Sequence, residues 1–295
     1  MIRIGCPVWA NKDWLGTLFS HRAKPADYLR QYARVFDTVE GSATFYSLPS
    51  PETVLRWRME TPENFRFVFK FPRTITHDYM LRQVGNETQQ FLRIMQPLAA
   101  RIGMLFLQLP PAFNRQAMPL LESYLQQLPP DFNYAVEVRH RDFFDRPELA
   151  NALDQLLEKH NVNRAVFDTS ELHQTNANDE LSKEAQRKKP KMPTYFSLTA
   201  QMPMIRYVGH ALPEDNLPRL QQVIIPIVLQ WMEQGRTPYI FMHTPGDLYA
   251  PQLCRLFHQL LQEALQQKGM LPLPQLPPFW GEMDNRRGEQ GKLFG

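Results

Sequence analysis

Tyr134-Ala135-Val136-Glu137-Val138-Arg139 is a short apolar run that encloses one carboxylate and ends on a cation. A run of this length suits a strand buried on both faces. Such strands belong to parallel sheets, where charge is tolerated only at the point where the strand leaves the sheet. The pattern recurs in both directions. Before it stand residues 2–5 leading into Cys6-Pro7-Val8-Trp9, residues 38–39 ending on Glu40, residues 65–69 around Lys70, and residues 104–107 ending on Gln108. After it come residues 165–167 ending on Asp168, residues 204–205 followed by Arg206, and residues 239–242 ending on His243.

The intervals carry helical signals. Residues 25–36 and 51–60 each place a proline in the first turn, and Ser50 is positioned to cap the second. Residues 87–101 set Phe91, Leu92, Met95, Leu98 and Ala99 on one stripe, and residues 147–160 do the same with Leu149, Ala152, Leu153, Leu156 and Leu157. Residues 217–234 and 251–268 complete the series, with Pro226 expected to kink or split the former. Helices of about a dozen residues are what crossovers between parallel neighbours require. Eight strands so connected close a barrel.

The chain is therefore expected to be α/β, a single TIM-type (β/α)8 barrel over residues 1–268. No G-x-G-x-x-G follows the first run, which weakens the alternative of a doubly wound, dinucleotide-binding sheet. Two segments depart from the alternation. Residues 173–193 are polar and read as a long loop after strand 6, and residues 269–295 are rich in proline and glycine and read as a flexible C-terminal tail.

With 295 residues, 43% of them hydrophobic, the chain can bury a full core. A net charge of +3 permits anionic ligands but falls short of a protein that coats nucleic acid. The two cysteines, Cys6 and Cys254, fit neither a zinc spacing nor a C-x-x-C pair, which suits a reducing compartment. The first residues carry no basic-then-apolar leader and no apolar run reaches the roughly 18 residues of a membrane span, so a cytoplasmic protein with no membrane partner is expected.

In a closed barrel all strand exits share one end. Glu40, Lys70, Gln108, Glu137, Arg139, Asp168, Arg206 and His243 are then expected at one mouth, where charges of both signs shift each other's pKa values and hold a polar substrate. Glu40, Glu137 and His243 are the expected proton-transfer groups, with Asp168 orienting a partner. Lys70, Arg139, Arg206, Gln108 and His77 would hold a small anionic substrate, and Trp9 and Tyr46 would stack on it. Arg187, Lys188, Lys189 and Lys191 in the long loop would form a basic lid. The competing reading is that strand-end charges merely pair with one another, Glu137 and Arg139 above all. No cofactor is expected. A divalent metal held by Glu40, Glu137, Asp168 and His243 is the alternative, opposed by the cations that compete for those carboxylates. A nucleophilic triad has no support, since G-x-S-x-G is absent and Cys6 has no neighbouring histidine.

The segments V-E-G-S-A-T-F-Y (residues 39–46), F-R-F-V-F-K-F-P-R-T-I-T-H (65–77), L-Q-L-P-P-A-F (107–113), V-E-V-R-H (136–140) and A-Q-R-K-K-P-K (185–191) resemble the YecE-like family over nearly the whole chain. The resemblance implies a TIM barrel of undefined function, sometimes described as related to sugar isomerases. Many distant members read Glu-x-Asn where this chain has Glu40-Gly41-Ser42, and two asparagines where it has His243-Thr244. An isomerase-like or hydrolase-like class therefore stays open. At the other end, Gln290-Gly291-Lys292-Leu293-Phe294 resembles the Q-x-x-L-F peptides that dock on the DNA sliding clamp, with Gln290, Leu293 and Phe294 as its anchors. Three readings follow: an enzyme using acid–base chemistry on a small anionic, sugar-like or phosphorylated substrate; a module for nucleotides or nucleic-acid ends recruited to the clamp; and a ligand-binding barrel without catalysis.

Overall fold

The structure, a computed structural model, describes residues 1–174 and 176–285. In chain order it runs β1 (Arg3–Cys6), α1 (Tyr28–Tyr32), β2 (Thr38–Gly41), α2 (Ala43–Tyr46), α3 (Pro51–Glu60), β3 (Arg66–Lys70), α4 (Gly85–Met95) and β4 (Ile102–Gln108). It continues with α5 (Met118–Gln127), β5 (Tyr134–Glu137), α6 (Asp142–Asp145), α7 (Pro147–Lys159), β6 (Asn163–Asp168) and α8 (Glu180–Lys188). The last elements are β7 (Met204–Val208), α9 (Leu217–Arg219), α10 (Ile225–Glu233), β8 (Tyr239–His243) and α11 (Ala250–Gln267).

The eight strands form a closed barrel in sequence order. Every neighbouring pair is parallel, and β1 closes on β8 through Arg3↔Tyr239, Ile4↔Ile240 and Gly5↔Phe241. On the other side of β1, Gly5 lets the strand approach β2, because a Cβ there would stand 2.2 Å from the Thr38 carbonyl oxygen. Side-chain alternation divides the apolar residues into two cores. Val68, Met104, Phe106, Ala135, Ala165, Met204, Tyr239 and Phe241 fill the barrel interior. The larger core lies between barrel and helices, where Phe67 and Phe69 of β3 stack against each other and Trp57 of α3 packs on Phe69.

Each expected strand is present, but two connections differ from their sequence reading. Residues 118–127, left unread between the fourth and fifth runs, form α5, with Pro119 in its first turn and Leu121, Tyr124 and Leu125 buried. The long loop after β6 contains α8; Ala185 is its one buried residue, so no apolar stripe announced it. The helix containing Pro226 is split as expected, into α9, a π-turn at Leu220–Ile224, and α10.

The expected flexible tail requires correction over its first part. Residues 270–285 lie against the barrel, ending in a helical turn at residues 280–285. Phe279 is buried beside Phe36, Arg255 pairs with Glu282, and the Trp280 and Gly281 amides donate to the Leu18 and Thr17 carbonyls. Apolar anchors set between prolines, rather than overall apolarity, hold this segment down.

Candidate functional site

Alternation on each strand decides which exit residues face inward. On β2, Glu40 points into the barrel while Val39 and Gly41 face the helices. On β7, Arg206 points inward while Tyr207 faces Asn216 of the outer layer. The inward set at the C-terminal end of the barrel is Glu40, Lys70, Gln108, Glu137, Arg206 and His243, all buried, with Arg139 just above β5.

Arg206 is the hub. Its Nε and Nη2 donate to the two oxygens of Glu40 at 2.7 and 3.0 Å, and its Nη1 donates to Glu137 Oε2 at 2.7 Å. The guanidinium also lies 5.1 Å from the Phe167 ring centre and 5.4 Å from that of Phe106. Arg139 Nε donates to the other oxygen of Glu137 at 2.7 Å. Lys70 Nζ reaches Glu40 Oε1 at 3.0 Å and donates to Gln108 Oε1 at 3.2 Å. Ser42 adds a hydroxyl to Glu40 at 3.3 Å.

Burial pushes the Glu40 carboxyl up, but the charges of Arg206 and Lys70, with His243 beside it, outweigh burial and hold it well below the usual carboxylate range. Glu137 follows the same course: burial raises it, and Arg206 and Arg139 bring it below its ordinary value. Both are therefore fixed anions at neutral pH. Lys70 behaves differently, since burial draws it down to about 8 against the upward pull of Glu40. Burial, reinforced by Lys189, draws His243 down to about 4 and leaves its imidazole neutral.

Two further residues enter the mouth from its rim. Asp247, four residues beyond His243 in a Pro-Gly-Asp turn, places Oδ1 3.9 Å from His243 Nδ1 and 3.9 Å from Lys189 Nζ. Sequence reasoning missed Asp247, although a turn signal directly after a strand exit could have drawn attention to it. Of the expected lid, Lys189 alone reaches inward. Lys188 is exposed and paired with Glu184, and Arg187 and Lys191 face solvent.

The remaining expected residues are distributed as follows. Asp168 faces outward because Phe167 occupies the inward position on β6; it accepts from Arg219 at 2.8 Å and from Thr194 at 2.9 Å, away from the Arg206 hub. Its expected role as orienter of a group in the mouth is thereby corrected. Near it, Glu171 and His210 form a separate pair at 3.2 Å. His77 sits at the rim, edge-on to Phe45 and bonded to Thr76, and burial together with Arg73 and Arg139 draws it down to about 4. Tyr46 is exposed on the turn that follows β2, held edge-on to Phe45. Trp9 is not a stacking platform over the mouth, because its ring packs on Trp57 and Phe67 in the outer layer. Gln290, Leu293 and Phe294 lie outside the described residues.

The four residues weighed as metal ligands do not converge. Asp168 faces away, both Glu40 oxygens and both Glu137 oxygens are taken by cations, and among the described residues no group of three or more His, Cys, Asp or Glu is arranged around one point. Cys6 and Cys254 do meet, with their sulfurs 3.6 Å apart between β1 and α11, both buried and unoxidised. Burial, with Cys254 beside it, raises the Cys6 thiol well above its ordinary value, so it packs as a neutral side chain. Among the described residues no helix is long and apolar enough to cross a membrane.

A closed eight-stranded α/β barrel with its ionisable side chains gathered at the C-terminal mouth defines a TIM-barrel protein. The chain belongs to the family described as Protein of unknown function DUF72, which it matches over residues 3–278. It is 42% identical over 276 residues to the UPF0759 protein YecE of Escherichia coli, covering 93% of this chain and 98% of that protein. The UPF0759 protein YunF of Bacillus subtilis is 26% identical over 155 residues, 50% of this chain and 54% of that protein. Solved DUF72 family structures share the fold. The one from Enterococcus faecalis has a TM-score of 0.68 at 19% identity, covering 94% of this chain and 98% of its own, and the one from Thermotoga maritima has 0.66 at 23%, covering 88% and 99%.

Proposed function

We propose that the mouth binds a small anionic, sugar-like or phosphorylated molecule and acts on it by acid–base chemistry. The observation that carries this reading is the charge imbalance at the mouth: among the described residues, the ion pairs there join Lys70, Arg139, Lys189 and Arg206 to Glu40, Glu137 and Asp247. Arg206 is consumed in holding the two glutamates. Lys70, Arg139 and Lys189 keep part of their surface exposed above them and are the cations a ligand would meet.

Glu40 and Glu137 are poor proton carriers near pH 7, since their cationic partners hold them ionised. Proton transfer falls instead to Lys70, whose pKa of about 8 lies close to the working range, with the neutral His243 imidazole as acceptor. The glutamates then fix Lys70 and Arg206 in place. The interlocked carboxylates equally favour a second reading, a ligand-binding barrel without turnover.

Calorimetric titration with sulfate tests the binding step. Saturable binding to the native protein that weakens about tenfold in Arg139→Gln, the loss expected for one charge-assisted hydrogen bond, supports it. No binding at millimolar sulfate would overturn it. Incubation with hydroxyaldehyde phosphates in D2O separates the two readings: carbon-bound deuterium that appears with the native protein and not with Lys70→Met marks acid–base turnover, and its absence leaves a binding barrel.

A further inference from the structure

We infer that Asp247, together with Lys189 and His243, forms a hydroxyl-recognising subsite inside the mouth, so that the preferred ligand is an anion with a hydroxyl group a few bonds from its charge. This inference rests on the anion-binding reading of the same mouth and narrows its ligand class.

Asp247 Oδ1 is shielded from solvent without a hydrogen-bond partner. Such an atom costs about 1–3 kcal/mol when left unmet, so native proteins rarely leave one without use. The groups around it stand just too far away to satisfy it. Lys189 Nζ and His243 Nδ1 are each 3.9 Å from Asp247 Oδ1, while the other ring nitrogen, His243 Nε2, faces Glu40 Oε2 at 3.5 Å. An oxygen that touches two such atoms at the usual hydrogen-bond length of about 2.8 Å, with a near-right angle between the contacts, separates them by about 4 Å. The gaps thus match a single inserted oxygen.

The chemistry of the lining selects which oxygen. A phosphate or carboxylate oxygen accepts from Lys189, but the Asp247 carboxylate repels it. A hydroxyl satisfies both sides: it donates to Asp247 and accepts from the Lys189 ammonium or an imidazole N–H. An acidic side chain in an otherwise cation-rich mouth therefore works as a filter for donors.

The carboxylate is held ready for that role. Gly246 and Asp247 both adopt left-handed backbone, with φ of 62° and 56°. The Asp247 amide donates to the Thr244 carbonyl at 2.8 Å, and its carbonyl accepts from Trp14 Nε1 at 2.9 Å. Strained backbone of this kind persists only where its surroundings fix it, so little conformational freedom is lost when a ligand arrives.

The test compares three probes by calorimetry: sulfate, n-propyl phosphate and glycerol 3-phosphate, the last two differing in their hydroxyls. The native protein is expected to bind glycerol 3-phosphate about tenfold more tightly than n-propyl phosphate, as one well-placed hydrogen bond provides. Asp247→Gly keeps the left-handed backbone and removes the carboxylate. It should abolish that preference while sulfate binds as well as before or better. Should this variant fail to fold, Asp247→Asn tolerates the same backbone and should shrink the preference in the same direction. Equal binding of the two phosphates by native protein, or a loss of sulfate affinity in Asp247→Gly as large as the loss for glycerol 3-phosphate, would overturn the hydroxyl subsite alone. Failure of all three probes to bind native protein would overturn the anion-binding reading with it.

Discussion

Replacing Arg206 by methionine would leave two buried carboxylates, Glu40 and Glu137, without the cation that joins them. Stranding a buried charge in this way costs about 3–5 kcal/mol, which urea denaturation of Arg206→Met should read directly. The same mouth predicts acid sensitivity in two steps. His243 is drawn down to about 4 in the folded chain from about 6.5 when unfolded, so its contribution is complete above pH 6.5 and is lost as the unfolded state takes up the proton first, the loss reaching about 3 kcal/mol by pH 4. The glutamates, whose folded values are depressed, add a second loss that begins as pH falls below about 4.3 and deepens toward their folded values. Denaturation midpoints measured across this range should show both steps in native protein, and a smaller upper step in His243→Gln, where His77, drawn down to the same value, still contributes. For Lys70, sulfate affinity should fall as pH rises through about 8, and Lys70→Arg should carry that loss to higher pH. Most of these residues were legible in the sequence as polar ends of apolar runs. Asp168 shows why that rule is incomplete: a run locates the strand's exit, but only pairing in the barrel decides whether its last residue or the one before it faces inward.

At the scale of elements, the strands were readable because burial on both faces makes them apolar throughout, whereas helices were readable where a first-turn proline, a cap or an apolar stripe marked them. Helix α8 carries Glu180, Lys183, Glu184, Arg187 and Lys188 and buries little more than Ala185, yet it delivers Lys189 to the mouth. Its start is fixed by Asp179, whose carboxylate accepts from the Ser182 amide at 2.8 Å. Asp179→Ala should therefore weaken α8 by about 1 kcal/mol. Because few core contacts depend on this helix, the change should be seen as faster hydrogen exchange of the amides around residues 182–188, with the global unfolding midpoint nearly unmoved. Sulfate affinity should drop with it if Lys189 needs the helix to hold its place.

For the whole molecule, residues 270–285 form a strap that is part of the folded unit. A chain ending at residue 269 loses the Phe279 anchor, the Arg255–Glu282 pair and the amide contacts to Thr17 and Leu18. Burial of one phenylalanine is worth about 1.5–3 kcal/mol, so thermal unfolding of the truncated chain should shift down by several degrees. Composition alone could not reveal this, since prolines that keep the segment out of regular structure also make it look unattached. The seam where β1 pairs with β8 has a further consequence, for the order of events during synthesis. Its two strands come from opposite ends of the chain, and the strap seals the same region by gripping Thr17 and Leu18. Contacts between such distant residues form late, so a nascent chain must leave its first strand unpaired on one edge until its last has emerged.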